Sequence, residues 1–83
     1  MKILKFSATW CQPCQTLRTI IENAGDKITI PIEDIDIDQN LDLARQYRIR
    51  GVPFLVLLDD NNNVVRDMYG VSGEEDLLGF ING

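Results

Sequence analysis

The chain has 83 residues, a formal net charge of −5 and no histidine. That length allows one small domain, residues 1–83, whose core has to be well filled, because short chains bury a low share of their surface. The acidic balance excludes a nucleic-acid binder built on clustered Lys and Arg, and the absence of histidine excludes Cys-His catalysis and any His-ligated metal site.

Residues 2–8 form an apolar-rich run that predicts a central strand. From Cys11 the period turns helical, with Cys14, Leu17, Ile21 and Ala24 on one stripe, Ile20 beside it and Gly25 as the stop. Ile28, Ile30, Ile32, Ile35 and Ile37 mark a second strand, with Pro31 near its start. Asp38 or Asn40 is placed to cap a short helix on which Leu41, Ala44 and Tyr47 share a face. Arg45, Arg48 and Arg50 lie nearby, and with Asp42 close in sequence they read as a solvated face. Phe54-Leu55-Val56-Leu57-Leu58 has the composition of a buried strand, Asp59 to Asn63 that of a turn, and Val64 to Tyr69 that of the returning arm of a hairpin. Ser72 and Glu75 suggest a capping box ahead of Leu77, Leu78 and Ile81, in a last helix weakened by Gly79. The predicted order is β-α-β-α-β-β-α, with the first two strands parallel through a right-handed crossover and the final hairpin antiparallel.

The only two cysteines stand in the run Trp10-Cys11-Gln12-Pro13-Cys14, where strand passes into helix. They are too close in sequence to staple distant parts of the chain, so the fold rests on packing. A thiol at a helix start meets unpaired N–H groups and the positive end of the helix dipole, which favour the thiolate, and a second thiol three residues on can close a ring with it. Pro13 falls early in the helix, where its missing N–H costs nothing. Taken alone, a C-x-x-C says redox or metal. A closed zinc site wants four ligands, so two thiols reach one only as a metal or cluster shared between two protomers.

W-C-x-P-C after the first strand and Val52-Pro53 before the third, in this element order, resemble the thioredoxin family. Asp38-Gln39-Asn40, Tyr47 to Pro53 and Gly70 extend the resemblance through most of the chain. It implies a thioredoxin-like α/β fold with a four-stranded mixed sheet flanked by helices, lacking the N-terminal strand and helix of full-length members. It further implies that Cys11 attacks a substrate disulfide and that Cys14 resolves the mixed disulfide. Val52-Pro53 matches the family's cis-proline site, and Trp10, Gln12, Pro13, Val52, Pro53, Gly70 and Val71 would form the substrate rim. A proline in the second intervening position goes with a reducing poise, on the order of −270 to −200 mV.

Two departures from the family stand out. Lys5 and Asp34 stand where thioredoxins usually carry a buried acid and a facing lysine, so the pair is charge-reversed. Either the two pair beneath Cys14 and tune its thiol, or Lys5 snorkels to water while Asp34 joins the acidic strand end formed with Glu33, Asp36 and Asp38. Ser7 replaces a common tryptophan behind the site, which suggests a more open, glutaredoxin-like surround. The Gly-Gly pair of glutaredoxins is absent, since Gly70-Val71-Ser72-Gly73-Glu74 separates its glycines.

The expectation is a dithiol–disulfide oxidoreductase that reduces protein disulfides, with roles in electron transport and cell redox homeostasis. No bound cofactor is expected, and electrons would come from an NADPH-dependent thioredoxin reductase or from glutathione. Ribonucleotide reductase is a candidate substrate by analogy with dedicated reductants among minimal members. No stretch is long enough to span a membrane, and Met1 to Phe6 lack the features of a signal peptide, so a cytoplasmic monomer is expected. The alternatives are a glutathione-dependent glutaredoxin and a redox-inert interaction module on the same fold.

Overall fold

The computed structural model describes all 83 residues, Met1–Gly83. Strand β1 (Lys2–Ser7) leads into helix α1 (Gln12–Ala24), followed by β2 (Ile32–Asp36), α2 (Leu41–Gln46), β3 (Phe54–Leu58), β4 (Val64–Tyr69) and α3 (Glu74–Asn82). The strands form one sheet in the order β2-β1-β3-β4. β1 pairs in parallel with β2 and antiparallel with β3, and β3 pairs antiparallel with β4, with an irregularity at Leu57/Leu58. This is the thioredoxin-like mixed sheet expected from the sequence.

Alternation along β1 divides the interior. Ile3 joins Leu55 and Leu57 of β3, Leu17 of α1, and Leu77, Phe80 and Ile81 of α3. Leu4 and Phe6 point the other way, meeting Ile35, Phe54, Val56 and Leu58, with Leu43 and Tyr47 of α2 packed over them. Helices α1 and α3 therefore cover one face of the sheet and α2 the other. β3 is buried throughout because it lies between two strands and under both layers.

Four local expectations shift. β2 starts at Ile32 rather than Ile28, because Gly25–Lys27 form a 3₁₀ turn and ladder pairing begins only after Pro31, whose carbonyl accepts from Ile3 N–H at 2.9 Å. Ile28 and Ile30 still pack on the core from outside the strand. In α2, Leu41 is 58 % exposed, and it is Leu43 with Tyr47 that faces the sheet. Asn40 occupies the N-cap position of α2 without a side-chain cap, its amide donating back to the Asp36 carbonyl. At α3 the Ser72–Glu75 capping box does not form. Ser72 N–H and Oγ–H both donate to Asp76 Oδ2, at 3.0 and 3.2 Å, and Gly73 takes the cap position. The extended Gly73 displaces the helix start by one residue, so the back-reaching carboxylate comes from the next turn position.

Two ties close the ends. Arg66 Nε donates to the Phe80 carbonyl at 2.7 Å, satisfying a backbone acceptor in the last turn of α3. Asp59 Oδ1 accepts from Asn61 and Asn63 N–H at 2.8 and 2.9 Å, which organises the β3–β4 turn. The Asn63 and Asn61 backbone N–H groups hold the Asp59 carboxyl below its ordinary value of 3.8.

Leu17→Ala, at a position 1 % exposed, is expected to cost about 2–5 kcal/mol in urea unfolding. Asp59→Ala should lower stability at neutral pH. Because the folded-state pKa is depressed, its contribution is present above about 3.8 and is lost as pH falls through the folded value, so wild type and variant should converge in acid. A difference that persisted undiminished in acid would show that the turn does not depend on the ionised carboxylate.

Candidate active site

The C-terminal end of β1 delivers the two cysteines. After Ser7 the chain turns so that Cys11 N–H donates to the Ala8 carbonyl at 3.2 Å, and Cys11 becomes the N-cap of α1. Pro13 sits in the first turn, as its lack of an N–H favours. Cys11 and Cys14 form a disulfide with Cα atoms 5.3 Å apart. Cys14 N–H points at Cys11 Sγ at 3.2 Å, so one of the unpaired donors of the helix start is committed to that sulfur.

Both half-cystines are buried, Cys11 at 4 % and Cys14 at 5 % exposure. Cys11 caps the helix and yet is enclosed in the oxidised form. Ala8 and the half-buried Val52 pack around the pair, and Cys11 Sγ lies 3.6 Å from the Val52 carbonyl oxygen. Trp10 is 68 % exposed, and Gln12 and Pro13 are exposed beside it. Val52-Pro53 is cis, as the resemblance implies. Pro53 is buried, and its carbonyl accepts from Gly70 N–H at 2.9 Å, which brings the end of β4 beside the Val52 segment. Gly70 has φ +70°, a region that favours glycine. Val71 is half-buried and packs against the α1–α3 side of the core.

Asp38 belongs to this surface, a role beyond the capping and acidic strand-end positions its sequence context suggests. Its Oδ2 accepts from Trp10 Nε1 at 3.0 Å and fixes the indole over the turn after β2. The available signal was its place in Asp38-Gln39-Asn40, part of the family resemblance.

Lys5 and Asp34 are neighbours in the parallel β1–β2 register and pair at 2.6 Å. The snorkelling alternative does not hold, since Lys5 is 6 % exposed. The pair is lopsided: the lysine side chain is enclosed while the Asp34 side chain is 71 % exposed. An ammonium withdrawn from water needs a counter-charge, and Asp34 supplies it from the sheet edge. An open cleft of about 770 Å³ lies between α1 and the β1–β2 edge, lined by Lys5, Ser7, Cys14, Arg18, Asp34 and Asp36 among others. Ser7 leaves this space open, in line with the surround expected from the missing tryptophan.

Known proteins with this arrangement define its class. The family model described as Thioredoxin matches residues 1–83. A thioredoxin of Chlamydia pneumoniae is 36 % identical over 81 residues, covering 96 % of this chain and 78 % of the relative. A thioredoxin-like protein of Synechocystis is 37 % identical over 78 residues, covering 92 % and 73 %. Among solved structures, a mutant thioredoxin from Halobacterium salinarum superposes with a TM-score of 0.85 at 36 % identity, covering 96 % of this chain and 70 % of its own. The chain belongs to the thioredoxin family. With its Cys11–Cys14 disulfide it is a protein-disulfide oxidoreductase, of a family that needs no bound cofactor. No group of three or more His, Cys, Asp or Glu side chains converges as a metal site, and no helix is long and apolar enough to cross a membrane.

The lopsided ion pair makes a directional prediction. Lys5→Met leaves an aspartate that water already solvates, whereas Asp34→Ala strands a buried ammonium. Asp34→Ala should therefore destabilise the oxidised protein by about 1–3 kcal/mol, and more than Lys5→Met does. Urea unfolding of the two variants checks the order, and a larger loss from Lys5→Met would contradict it.

Proposed function

We propose that residues 1–83 act as a single thioredoxin-like domain that reduces protein disulfides through a mixed disulfide at Cys11, resolved by Cys14. The observation that carries this reading is the Cys14 N–H directed at Cys11 Sγ at the start of a 13-residue helix. A backbone donor and the helix dipole both stabilise negative charge there, so in the reduced protein Cys11 is the better thiolate and the better nucleophile. Its attack on a substrate disulfide transfers one sulfur to Cys11 and releases the other as thiolate. Cys14 then attacks Cys11 Sγ, closes the disulfide and releases the reduced substrate, so two electrons leave the protein and no cofactor is needed.

The substrate lies along Trp10, Gln12 and Pro13 on one side and Val52, Pro53, Gly70 and Val71 on the other. The Val52 carbonyl beside Cys11 offers an acceptor to an extended substrate backbone. Lys5 and Asp34 serve as tuning groups for Cys14, since all three line one cleft. The protein works as a cytoplasmic monomer in electron transport and cell redox homeostasis. A thioredoxin reductase drawing on NADPH, or glutathione, re-reduces it, and ribonucleotide reductase is among its candidate substrates.

Insulin reduction driven by dithiothreitol tests the activity. Wild type should accelerate it and Cys11→Ser should abolish the acceleration, whereas an inactive wild type would leave only a docking module. Cys14→Ser should hold substrates as mixed disulfides at Cys11, and mass spectrometry of the trapped species identifies the partner. Equilibration with glutathione should give a potential on the order of −270 to −200 mV. Lys5→Met and Asp34→Asn should each move the pH profile of thiol alkylation, and an unchanged profile in both would remove the tuning role.

A further inference from the structure

The segment that carries the Val52 carbonyl is tied down at its ends and nearly free between them. At its start Tyr47 closes α2, and Arg48 takes the left-handed position after it with φ +53°. Arg48 N–H donates to the Arg45 carbonyl at 3.0 Å and Ile49 N–H to the Ala44 carbonyl at 3.1 Å, the two bonds of a Schellman helix end. At the far end the Pro53 carbonyl accepts from Gly70 N–H, and Phe54 enters the core at 3 % exposure. Arg50, Gly51 and Val52 lie between. Of their N–H groups only that of Arg50 is hydrogen-bonded, and it donates to the Tyr69 hydroxyl at 3.1 Å.

Packing fixes where that hydroxyl sits. Tyr69 ends β4 opposite Phe54 in the antiparallel register, and the two rings stack with centroids 4.3 Å apart and 29° between their planes. Phe54 rests in turn on Phe6 at 6.2 Å, and Phe6 on Tyr47 at 5.5 Å. The row of rings joins Tyr47, before the segment, to Phe54 and Tyr69, after it, and such aromatic contacts favour particular geometries. Tyr69 is 50 % exposed, and a phenylalanine would stack on Phe54 as well. What the tyrosine adds is an oxygen that accepts the Arg50 N–H. The bond spans 19 residues, so it ties the segment to the sheet rather than to its own helix end.

We propose that Tyr69 is a positioning residue for protein substrates: its hydroxyl, placed by the stack on Phe54, holds the Arg50–Val52 segment so that the Val52 carbonyl stands ready for an extended substrate backbone. The inference rests on the substrate rim proposed above and assigns what keeps that rim in place. A substrate strand gains from the Val52 carbonyl most when the carbonyl is already positioned. Without the hydroxyl, Arg50 N–H turns to water at little cost to the fold, and the segment samples more arrangements. Binding then selects the competent arrangement, and apparent affinity falls with the fraction of molecules that hold it. The chemistry at Cys11 is untouched, since the Cys14 N–H that points at Cys11 Sγ stays where it is. The loss therefore falls on KM and not on kcat.

Tyr69→Phe tests this, because it keeps the ring stack and removes only the oxygen. Reduced protein is mixed with excess insulin, or with bis(2-hydroxyethyl) disulfide, which has no backbone to offer, and the remaining thiols are trapped by alkylation. With insulin, Tyr69→Phe should raise the half-saturating concentration about three- to ten-fold and leave the limiting rate within about two-fold. With the small disulfide its rate should stay within about two-fold of wild type. Amide exchange followed by NMR should be faster at Arg50 N–H in the variant, while Leu55 and Leu57 in the core keep their wild-type rates. Equal losses on both disulfides would show a general loosening and overturn the proposal. So would an unchanged insulin profile, or unchanged exchange at Arg50. Wild type that reduces insulin no better than Tyr69→Phe loses only this inference; wild type that reduces the small disulfide but not insulin loses the proposed protein substrate, and this inference with it.

Discussion

β1 is the constraint on which the rest of the molecule depends. It is the only strand with a parallel neighbour on one side and an antiparallel neighbour on the other, and its alternating side chains feed both cores. Along the face covered by α1 it passes from the apolar Ile3 through the charged Lys5 to the small Ser7. Where the strand ends, the chain has one short turn in which to start α1, and that turn delivers the disulfide to the first turn of the helix. The same strand therefore sets the packing of the core, the position of the sulfur pair and the empty space behind it.

The charge pattern acts at a different level from the packing. Lys5 is enclosed and Asp34 is not, so the pair is a one-sided compensation rather than a buried bridge. Reversing the usual signs at these positions keeps a counter-charge for the enclosed group while placing the enclosed cation in the cleft that Cys14 also lines. The exposed carboxylates along β2 and the turn after it, Glu33, Asp34 and Asp38, give this edge a strongly acidic character. Asp38 is drawn into the site by the Trp10 indole, which links the acidic edge to the apolar rim.

What was legible in the sequence follows from how local each cause is. Cys11, Pro13 and the helical period after them are set by neighbours within one or two turns, and α1 begins and ends where those residues place it. Phe54 to Leu58 read as a buried strand because every position faces protein. The start of β2 was not legible, because only the Ile3–Pro31 hydrogen bond shows where pairing with β1 begins. At α3, Ser72 reaches Asp76 rather than Glu75, since the extended Gly73 shifts the helix start by one residue. The Trp10–Asp38 bond spans 28 residues and leaves no periodic trace. Burial of Cys11 in the oxidised form depends on Val52, brought in from a distant segment. The open cleft was foreshadowed by Ser7, but its charge balance needed Arg18 from α1 and Asp36 from β2 in the same place.

The position of Trp10 also has a spectroscopic meaning. It is the only indole in the chain, it lies in water, and it adjoins the disulfide. A disulfide quenches a neighbouring indole by accepting an electron from its excited state, so emission brightness follows the oxidation state of the two sulfurs. Because the ring is already solvated in the native protein, loss of the fold changes the colour of its emission little. The molecule thus carries a built-in optical gauge of its electron count that is nearly blind to its folding, and the order of its backbone has to be followed by circular dichroism instead.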